Sequence, residues 1–362
     1  MKKVWNWSFV LGLGGVVLGL CSWQGWAWWS WASAPPQSIG PSTANETAAA
    51  TGVQIKIPPG TAAQQIGRNL EAAGLIRSPT AWNLWARWLH SQDPKGEFKA
   101  GTYQLLPTQP LSAIADKIWQ GKVVQRSFTI PEGWSLQRMA AYLEAQGFFP
   151  AQDFLAAASQ IKPNQYQWLP ADLPHLEGFL YPDTYNLNGD RVTPQDVVQQ
   201  MLKRFEQVAL PLYQQGDSQT KLNLRQWVTL ASIVEKEAVV PEERTRIAGV
   251  FTSRLRQGQP LGADPTVEYA LGIQQTAAQP LTLAQVKTPS AYNTYLNPGL
   301  PPTPIASPGL ASLKAALYPE KTPYLYFVAR YDGTHVFSRT LSEHIAAQST
   351  IRKQQIERRN GK

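Results

Sequence analysis

The sequence has few of the residues that build redox and metal chemistry. Its 362 residues include one cysteine and four histidines. A single cysteine excludes an intrachain disulfide and any cysteine-rich metal site. The histidines show no metal-ligand spacing, and neither a G-x-S-x-G motif nor a P-loop occurs. We therefore expect no cofactor and no metal ion.

Charged residues are also scarce, at 16% of the chain against 43% hydrophobic, which is the balance of a globular protein. The formal net charge of +8 suits contact with lipid headgroups, acidic cell-wall polymers or nucleic acid. The sequence lacks a block of Lys and Arg and lacks a basic–aromatic RNA-binding signature. Nucleic acid is therefore the least favoured of these partners, and we expect none.

Tryptophan is in excess, and half of the 14 tryptophans lie before residue 32. Lys2 and Lys3 precede a long uncharged stretch whose centre, FVLGLGGVVLGLC, is strongly apolar. Tryptophans flank this centre on both sides, as they do at the two interfaces of a helix of roughly 20 residues that spans a bilayer. We predict that residues 1–33 form a cytoplasmic N-terminus and a single-pass transmembrane helix.

A cleaved signal peptide is the alternative for this segment, because Ala32-Ser33-Ala34 matches an A-x-A cleavage site. Five tryptophans just before that site would be unusual in a cleavage region, which favours the anchor. Residues 34–52 are rich in Pro, Ser, Thr and Ala and have no hydrophobic period. They are predicted to form a flexible linker.

Residues 53–126 form the first predicted folded block, a small α/β unit. Two short strands, VQIKIP and AGTYQLL, are separated by helices. The first helix is predicted to carry Ile66, Leu70 and Leu75 on one apolar side and to end at Gly74, and the last helix of the block is predicted to begin at Ser112.

Residues 127–355 form the second predicted block. FTIPEGW indicates a strand, a turn and then a helix capped by Ser135. Near the end, YLYFVARYDGTHVFS predicts a hairpin with Asp332-Gly333 as a two-residue turn. Thr340 and Glu343 have the spacing of a capping box for the last helix. Strands and helices that mix without regular alternation predict an α+β fold.

Glu235 and Glu237 lie together in LASIVEKEA, a predicted helix that begins with an Asn223 cap. At about 100° per residue, the two carboxyls lie at the two edges of the apolar face. A carboxyl at such an edge is partly desolvated, which raises its pKa as a general acid near neutral pH requires. Alternatively, both are rim residues that pair with Lys236 or Arg244. Spacing alone does not choose between the two glutamates.

Several long motifs occur in order from about Val53 to His344: AGTYQL, FTIPEGW, LEGFLYPDTYNL, ASIVEKEA, LGADPTVEYALG, AYNTYLNPGLPPTPIASPG and YLYFVARYDGTHVFS. Together they resemble the endolytic murein transglycosylases of the YceG-like (MltG) family. The resemblance implies a single-pass protein of the bacterial inner membrane with its catalytic domain on the periplasmic side. Residues 53–126 would be a LysM-like subdomain and residues 127–355 the catalytic domain. The implied partners are peptidoglycan strands, peptidoglycan synthases, and elongation or division proteins.

The first glutamate of the family's VEKE motif is the catalytic one, which corresponds to Glu235. The implied reaction cuts the MurNAc-β-1,4-GlcNAc bond of nascent strands without water, forms a 1,6-anhydro-MurNAc end and terminates strand elongation. Glu235 would protonate the leaving oxygen and then accept the proton of the sugar's C6 hydroxyl, which attacks C1. Ordinary glycosidases use a second carboxylate instead.

Further residues are weaker candidates for binding the substrate or supporting the site: Glu177, Asp264, Thr266, Tyr292, Asn293 and Tyr295. The tyrosines and asparagine would stack on sugars and bind N-acetyl groups, or simply form a packed loop. Asp264 and Thr266 are interpreted mainly as loop supports. Glu177 would bind sugar, orient Glu235 or cap a turn at Gly178.

Two other functions stay open. A hydrolytic muramidase would need Glu177 or Asp264 as a second working carboxylate. A non-catalytic wall-binding scaffold would rely on the LysM-like block and would not need Glu235.

Overall fold

The computed structural model describes residues 23–37, 52–124, 126–160, 166–187, 192–216, 220–276, 279–330 and 332–360. The chain divides into two compact units. Unit 1 comprises Met1–Arg126 and Asn186–Arg191, and unit 2 comprises Ser127–Tyr185 and Val192–Lys362. Helices and short two-stranded sheets alternate irregularly in the described chain, so the predicted α+β class is confirmed.

Unit 1 has the element order β-α-α-β followed by a third helix. Its elements are β1 (Val53–Ile57), α1 (Ala63–Ala72), α2 (Pro79–Gln92), β2 (Gly101–Leu105) and α3 (Leu111–Trp119). The two strands pair antiparallel, from Val53 opposite Leu105 to Ile57 opposite Gly101. Alternate residues of each strand face the helices, and the side chains of Ile66, Leu70, Trp82 and Ile114 fill the space between.

Two details of unit 1 differ from the sequence-based expectation. Leu75 is buried with Leu70, but it lies beyond the end of α1. Gly74, at φ +67°, reverses the chain there and returns Leu75 to the core. Ser112 does not begin α3, because Pro110 occupies the N-cap and provides no side-chain cap.

Residues 23–33 are helical and pack against unit 1. Ala32 is fully buried, and the Trp29 ring stacks on Trp85 with 6.2 Å between centroids. The centre of the predicted membrane span lies in residues 1–22, outside the described residues, as does most of the predicted linker. Within the part of the chain that is described, none of the helices has the length and apolar character to cross a membrane.

Unit 2 begins near β3 and contains most of the helices. The elements are β3 (Arg126–Thr129), α4 (Leu136–Ala145), α5 (Ala151–Ser159), β4 (Thr184–Leu187), α6 (Pro194–Gly216), α7 (Leu224–Glu237), a 3₁₀ turn (Pro241–Glu243), α8 (Arg244–Arg256), α9 (Asp264–Leu271), α10 (Leu283–Val286), α11 (Leu310–Leu317), β5 (Tyr326–Ala329), β6 (His335–Ser338) and α12 (Leu341–Asn360). Strand β3 pairs with β4, and β5 pairs with β6.

Helix α7 is the central element of unit 2. It begins with the predicted capping box, in which the Asn223 side chain and the Gln226 side chain each accept the other's backbone N–H. Helices α8, α9 and α11 pack around it. Trp227 is fully buried and donates its indole N–H to the carbonyl of Leu313 at 3.0 Å. The last turn of α7 carries both glutamates to the edge of this core.

The structure corrects two predictions near the C-terminus, the turn between β5 and β6 and the capping box of α12. The hairpin exists, but pairing continues to Arg330, whose N–H donates to the Thr334 carbonyl at 2.7 Å. More than two residues therefore separate the paired positions, and the predicted two-residue turn is wrong. The last helix has half of its capping box: Thr340 accepts the N–H of Glu343, whereas Glu343 reaches back to the N–H of Arg339.

Candidate active site

Glu235 lies in the last turn of α7 and is half-buried. Its Oε2 accepts the backbone N–H of Gly309 at 3.1 Å. Gly309 is the N-cap of α11, so the carboxyl lies at the N-terminal end of that helix. Unpaired N–H groups and the helix dipole both favour negative charge at this position. The Glu235 carboxyl is therefore held in a defined place by backbone rather than by a flexible partner.

A second carboxyl, that of Glu132, lies against the same glycine. A Cβ added at Gly309 would overlap the Glu132 carboxyl group. The turn that carries Glu132 is bonded to the loop before α11: Gly133 N–H donates to the Ser307 carbonyl at 2.8 Å, and Ser307 N–H donates to that of Trp134 at 2.9 Å. Both glutamates therefore lie against Gly309.

The charge of Glu235 affects the pKa of Glu132. Burial raises the pKa of Glu132, the negative charge of Glu235 raises it further, and Arg244 opposes both. The pKa of the Tyr181 hydroxyl is also raised, first by burial and then by Glu132. Tyr181 is buried in the LEGFLYPDTY motif. Segments that are far apart in sequence therefore converge on Glu235.

Glu237 has different surroundings. Two residues further along the helix, it is rotated about 200° from Glu235. Burial raises the pKa of Glu237 to about 8, and the negative charges of Asp264 and Glu268 add to this, opposed mainly by Arg254. Although part of the residue is exposed, its carboxyl is surrounded closely enough to lose most of its hydration.

Glu237 also lines a large polar cleft of about 1290 Å³ in unit 2. Asp264 and Tyr295 contribute to the same wall, and the Tyr295 hydroxyl donates to the Asp264 carboxylate at 2.6 Å. Glu235 is not among the described residues that line this cleft. The structure therefore brings Asp264 and Tyr295 to Glu237 and not to Glu235.

The other predicted loop residues are internal supports. Thr266 is fully buried, and its hydroxyl donates to the Ala263 carbonyl at 2.6 Å. Asn293 is buried and donates to the carbonyls of Val286 and Thr288 at 2.8 Å, while its Oδ1 accepts the N–H of Tyr295. The Tyr292 hydroxyl lies 2.8 Å from that of Thr303. These contacts match the packed-loop alternative.

Glu177 is 1% exposed and faces the interior. Both of its oxygens lie 3.1 Å from the N–H of Leu136, the first residue of α4, and Oε2 accepts the Tyr269 hydroxyl at 3.1 Å. Burial raises its pKa to about 8. In this position Glu177 caps α4 and does not face a groove, which matches a supporting role rather than sugar binding.

A family model described as the YceG-like family matches residues 55–350. This chain belongs to that family.

Several proteins align with most of this YceG-like chain. The endolytic murein transglycosylase of Bacillus subtilis (strain 168) is 32% identical in an alignment of 307 positions that covers 81% of this chain and 83% of the relative. The endolytic murein transglycosylase of Streptococcus pneumoniae serotype 2 is 30% identical in an alignment of 331 positions. This alignment covers 81% of this chain and 58% of the relative. A crystal structure of a yceG-like protein from Listeria monocytogenes has 33% identity and a TM-score of 0.56, and 82% of this chain and 98% of that chain are covered.

The local pattern of Pro131-Glu132-Gly133 predicts only a turn between a strand and a helix, so Glu132 is not among the site residues predicted from the sequence of this YceG-like chain. A charged residue between two turn-forming residues carried a signal, because a carboxyl at a loop tip is free to face a site. Gly309 is also not among the predicted site residues, because a glycine before a helix has the pattern of an ordinary N-cap.

Proposed function

We propose that this chain is a membrane-anchored endolytic murein transglycosylase. It cuts the MurNAc-β-1,4-GlcNAc bond within peptidoglycan strands and leaves 1,6-anhydro-MurNAc ends. Support comes from relatives of that name aligned over four-fifths of the chain, 81% in each case. The observation that carries the proposal is the half-buried Glu235 carboxyl, which is fixed against the N–H of Gly309 where several family motifs meet.

The proposed chemistry needs two proton transfers and no water. The oxygen that leaves C1 of MurNAc must be protonated, and the C6 hydroxyl of the same sugar must lose its proton as it attacks C1. We assign Glu235 to this proton chemistry. A carboxyl within hydrogen-bond reach of such protons typically contributes about 10²- to 10⁴-fold to the rate.

A hydrolytic muramidase is the competing proposal, and it needs a second carboxylate to activate water. The two residues first considered for this role fit it poorly. Glu177 is buried beneath α4, and Asp264 accepts the Tyr295 hydroxyl on the Glu237 side of α7. Neither Glu177 nor Asp264 is therefore placed to activate water beside Glu235, and the product separates the two proposals.

Product mass tests the proposal. The full chain in detergent is incubated with uncrosslinked glycan strands, and the fragments are weighed. We expect ends that lack one water, formed about 10³-fold more slowly by Glu235→Gln. Glu242→Gln, a change of an exposed glutamate close by, is the matched control and keeps full activity. Hydrated ends alone, or an active Glu235→Gln variant, would overturn the proposal.

We also infer that the N-terminal segment anchors the chain in the inner membrane, with unit 2 on the periplasmic side. Support comes from the uncharged sequence of residues 4–22, which follows Lys2 and Lys3, and from Trp23 and Trp26, which are 64% and 68% exposed, since tryptophans concentrate at membrane interfaces. Resistance of the full chain to alkaline extraction, and accessibility of unit 2 to protease from the periplasm, test this. Recovery in the soluble fraction would contradict it.

The finer roles follow from the same proposal. We propose that the β-α-α-β arrangement of unit 1 is LysM-like and that cleavage of nascent strands terminates their elongation, next to peptidoglycan synthases and elongation or division proteins. Glycan strands isolated from cells that carry Glu235→Gln should be longer than those from wild-type cells. Unchanged strand lengths would exclude a terminating role.

A further inference from the structure

The carboxyl of Glu132 has no part in a reaction run by one glutamate, yet the fold places it opposite Glu235. We propose that Glu132 is a second catalytic residue of this site, the acid that protonates the leaving glycosidic oxygen, and that Glu235 is the base that accepts the C6 hydroxyl proton. This inference rests on the proposed function and divides its two proton transfers between two side chains.

The first support is that both carboxyls contact Gly309. Its N–H donates to Glu235 at 3.1 Å, and the missing Cβ leaves the space that the Glu132 carboxyl occupies. The φ of Gly309 is −78°, which any residue adopts, so the backbone conformation does not demand glycine here. The demand for a small residue comes from the neighbouring carboxyl.

The second support is the rigidity of the Glu132 turn. Gly133 has φ +75°, and a Cβ added there would lie 3.6 Å from Cγ of Glu235, so this turn passes directly over the base. Two backbone hydrogen bonds join the turn to residue 307, two residues before Gly309. Such a connection holds two carboxyls in a constant relation, as a paired acid and base require.

The third support is the difference between the environments of the two carboxyls. Glu235 accepts the backbone N–H of the N-cap glycine of α11, so its carboxylate has a fixed hydrogen-bond donor. Among the described residues, none donates a hydrogen bond to the Glu132 carboxyl, and its burial and the nearby Glu235 charge favour the protonated form that an acid needs. Pairs of carboxyls whose environments differ in this way divide acid and base roles.

The proposed steps balance without a further reactant. The Glu132 proton moves to the glycosidic oxygen, and the C1–O bond breaks with its electron pair on that oxygen. The C6 hydroxyl oxygen then bonds to C1, and its proton moves to the Glu235 carboxylate. The cycle ends with Glu132 ionised and Glu235 protonated, and one proton transfer from Glu235 to Glu132 restores the starting state.

A change of leaving group tests the division of roles. The full chain and its variants act on native strands and on a MurNAc-terminated glycoside of 4-methylumbelliferone, a leaving group that departs without protonation. We expect Glu132→Gln to lose about 10²-fold or more on native strands, to stay within about tenfold of wild type on the aryl glycoside, and to form anhydro ends from both. Glu235→Gln loses activity on both substrates.

Two outcomes overturn the inference. Near-normal turnover of native strands by Glu132→Gln would remove Glu132 from the chemistry, and an equal loss on both substrates would make it a structural residue. Thermal unfolding of each variant shows that the folded state persists, with Glu242→Gln as the control. A failure of the proposed function is distinguishable, because wild type would then leave no anhydro ends or Glu235→Gln would remain active.

Discussion

The two glutamates at the end of α7 differ in almost every respect except their position in sequence. Glu235 faces a backbone N–H, a glycine and a second carboxyl. Glu237 faces the wide cleft, two further acidic residues and Arg254. A separation of two residues along a helix therefore places similar side chains in two distinct sites.

The comparison shows that a wide cleft and a raised pKa belong to Glu237, whereas the family motif identifies Glu235. A perturbed pKa is common at active sites, but networks of like charges inside a structure produce it as well. The pKa of Glu237 is raised by burial and by Asp264 and Glu268, which explains the shift without a catalytic role. Measurements on both faces of the helix are needed to separate the two interpretations.

The largest expected effect comes from exchanging each glutamate in turn for its amide. Glu235→Gln should lower the rate of anhydro-end formation by about 10³-fold, because it removes a proton-transfer group. Glu237→Gln should stay within about tenfold of wild type. Rates on uncrosslinked strands, measured by mass, check both. A reversed order would transfer the chemistry to the cleft side.

The second effect comes from adding one methyl group beside Glu235 and, in a separate variant, one on the cleft side of α7 where Glu237 lies. Gly309→Ala forces the Glu132 carboxyl away from Glu235, and displacement of reacting groups by about 1 Å costs on the order of 10²-fold in rate. Gly262→Ala is the matched change on the cleft side, where the new Cβ would lie 3.4 Å from Arg254 and Tyr295 atoms. We expect little loss of rate there, although φ +57° makes this variant less stable. Equal rates for both variants would contradict the assignment.

The third effect is on the way the free energy of unfolding depends on pH. Folding raises the pKa of Glu237 from 4.5 to about 8, so between these values the folded protein keeps a proton that the unfolded chain has lost. Stability therefore falls as the pH rises from about 5 to about 8. Glu237→Gln should reduce this fall, whereas Glu242→Gln, an exposed control, should leave it unchanged. Thermal midpoints at several pH values measure it, and an unchanged slope in Glu237→Gln would argue against the shift.

Local signals in the sequence predicted the elements around these faces. Strand alternation in VQIKIP, the Ser135 cap and the Asn223–Gln226 box each rest on neighbouring residues, and each has the predicted geometry. The helical period placed both glutamates at the edges of the apolar face, which agrees with their partial exposure. The prediction was wrong where one local pattern is compatible with turns of different length, as at Asp332-Gly333.

The site itself depends on contacts that no local pattern contains. Glu132 and Gly309 are far from Glu235 in sequence, and they meet it only because the turn after β3 is bonded to the loop before α11. Glu177 likewise caps α4 through a contact that spans 41 residues. The family motif named Glu235, but only the tertiary structure shows which residues surround its carboxyl.

The smallest expected effect tests whether the positions of Glu235 and Glu237 depend on the stability of α7 as a whole. Asn223→Ala removes the cap of α7, which should lower the free energy of unfolding by about 1 kcal/mol. Because the cap lies at the opposite end of α7 from both glutamates, the rate of anhydro-end formation and the pH slope should stay as in wild type. Thr282→Ala, the same change in the capping box of the four-residue helix α10, is the control and should cost less. Loss of turnover in Asn223→Ala at a temperature where the chain is fully folded would show that the carboxyl positions depend on the whole helix rather than on the turn and loop that hold its last residues.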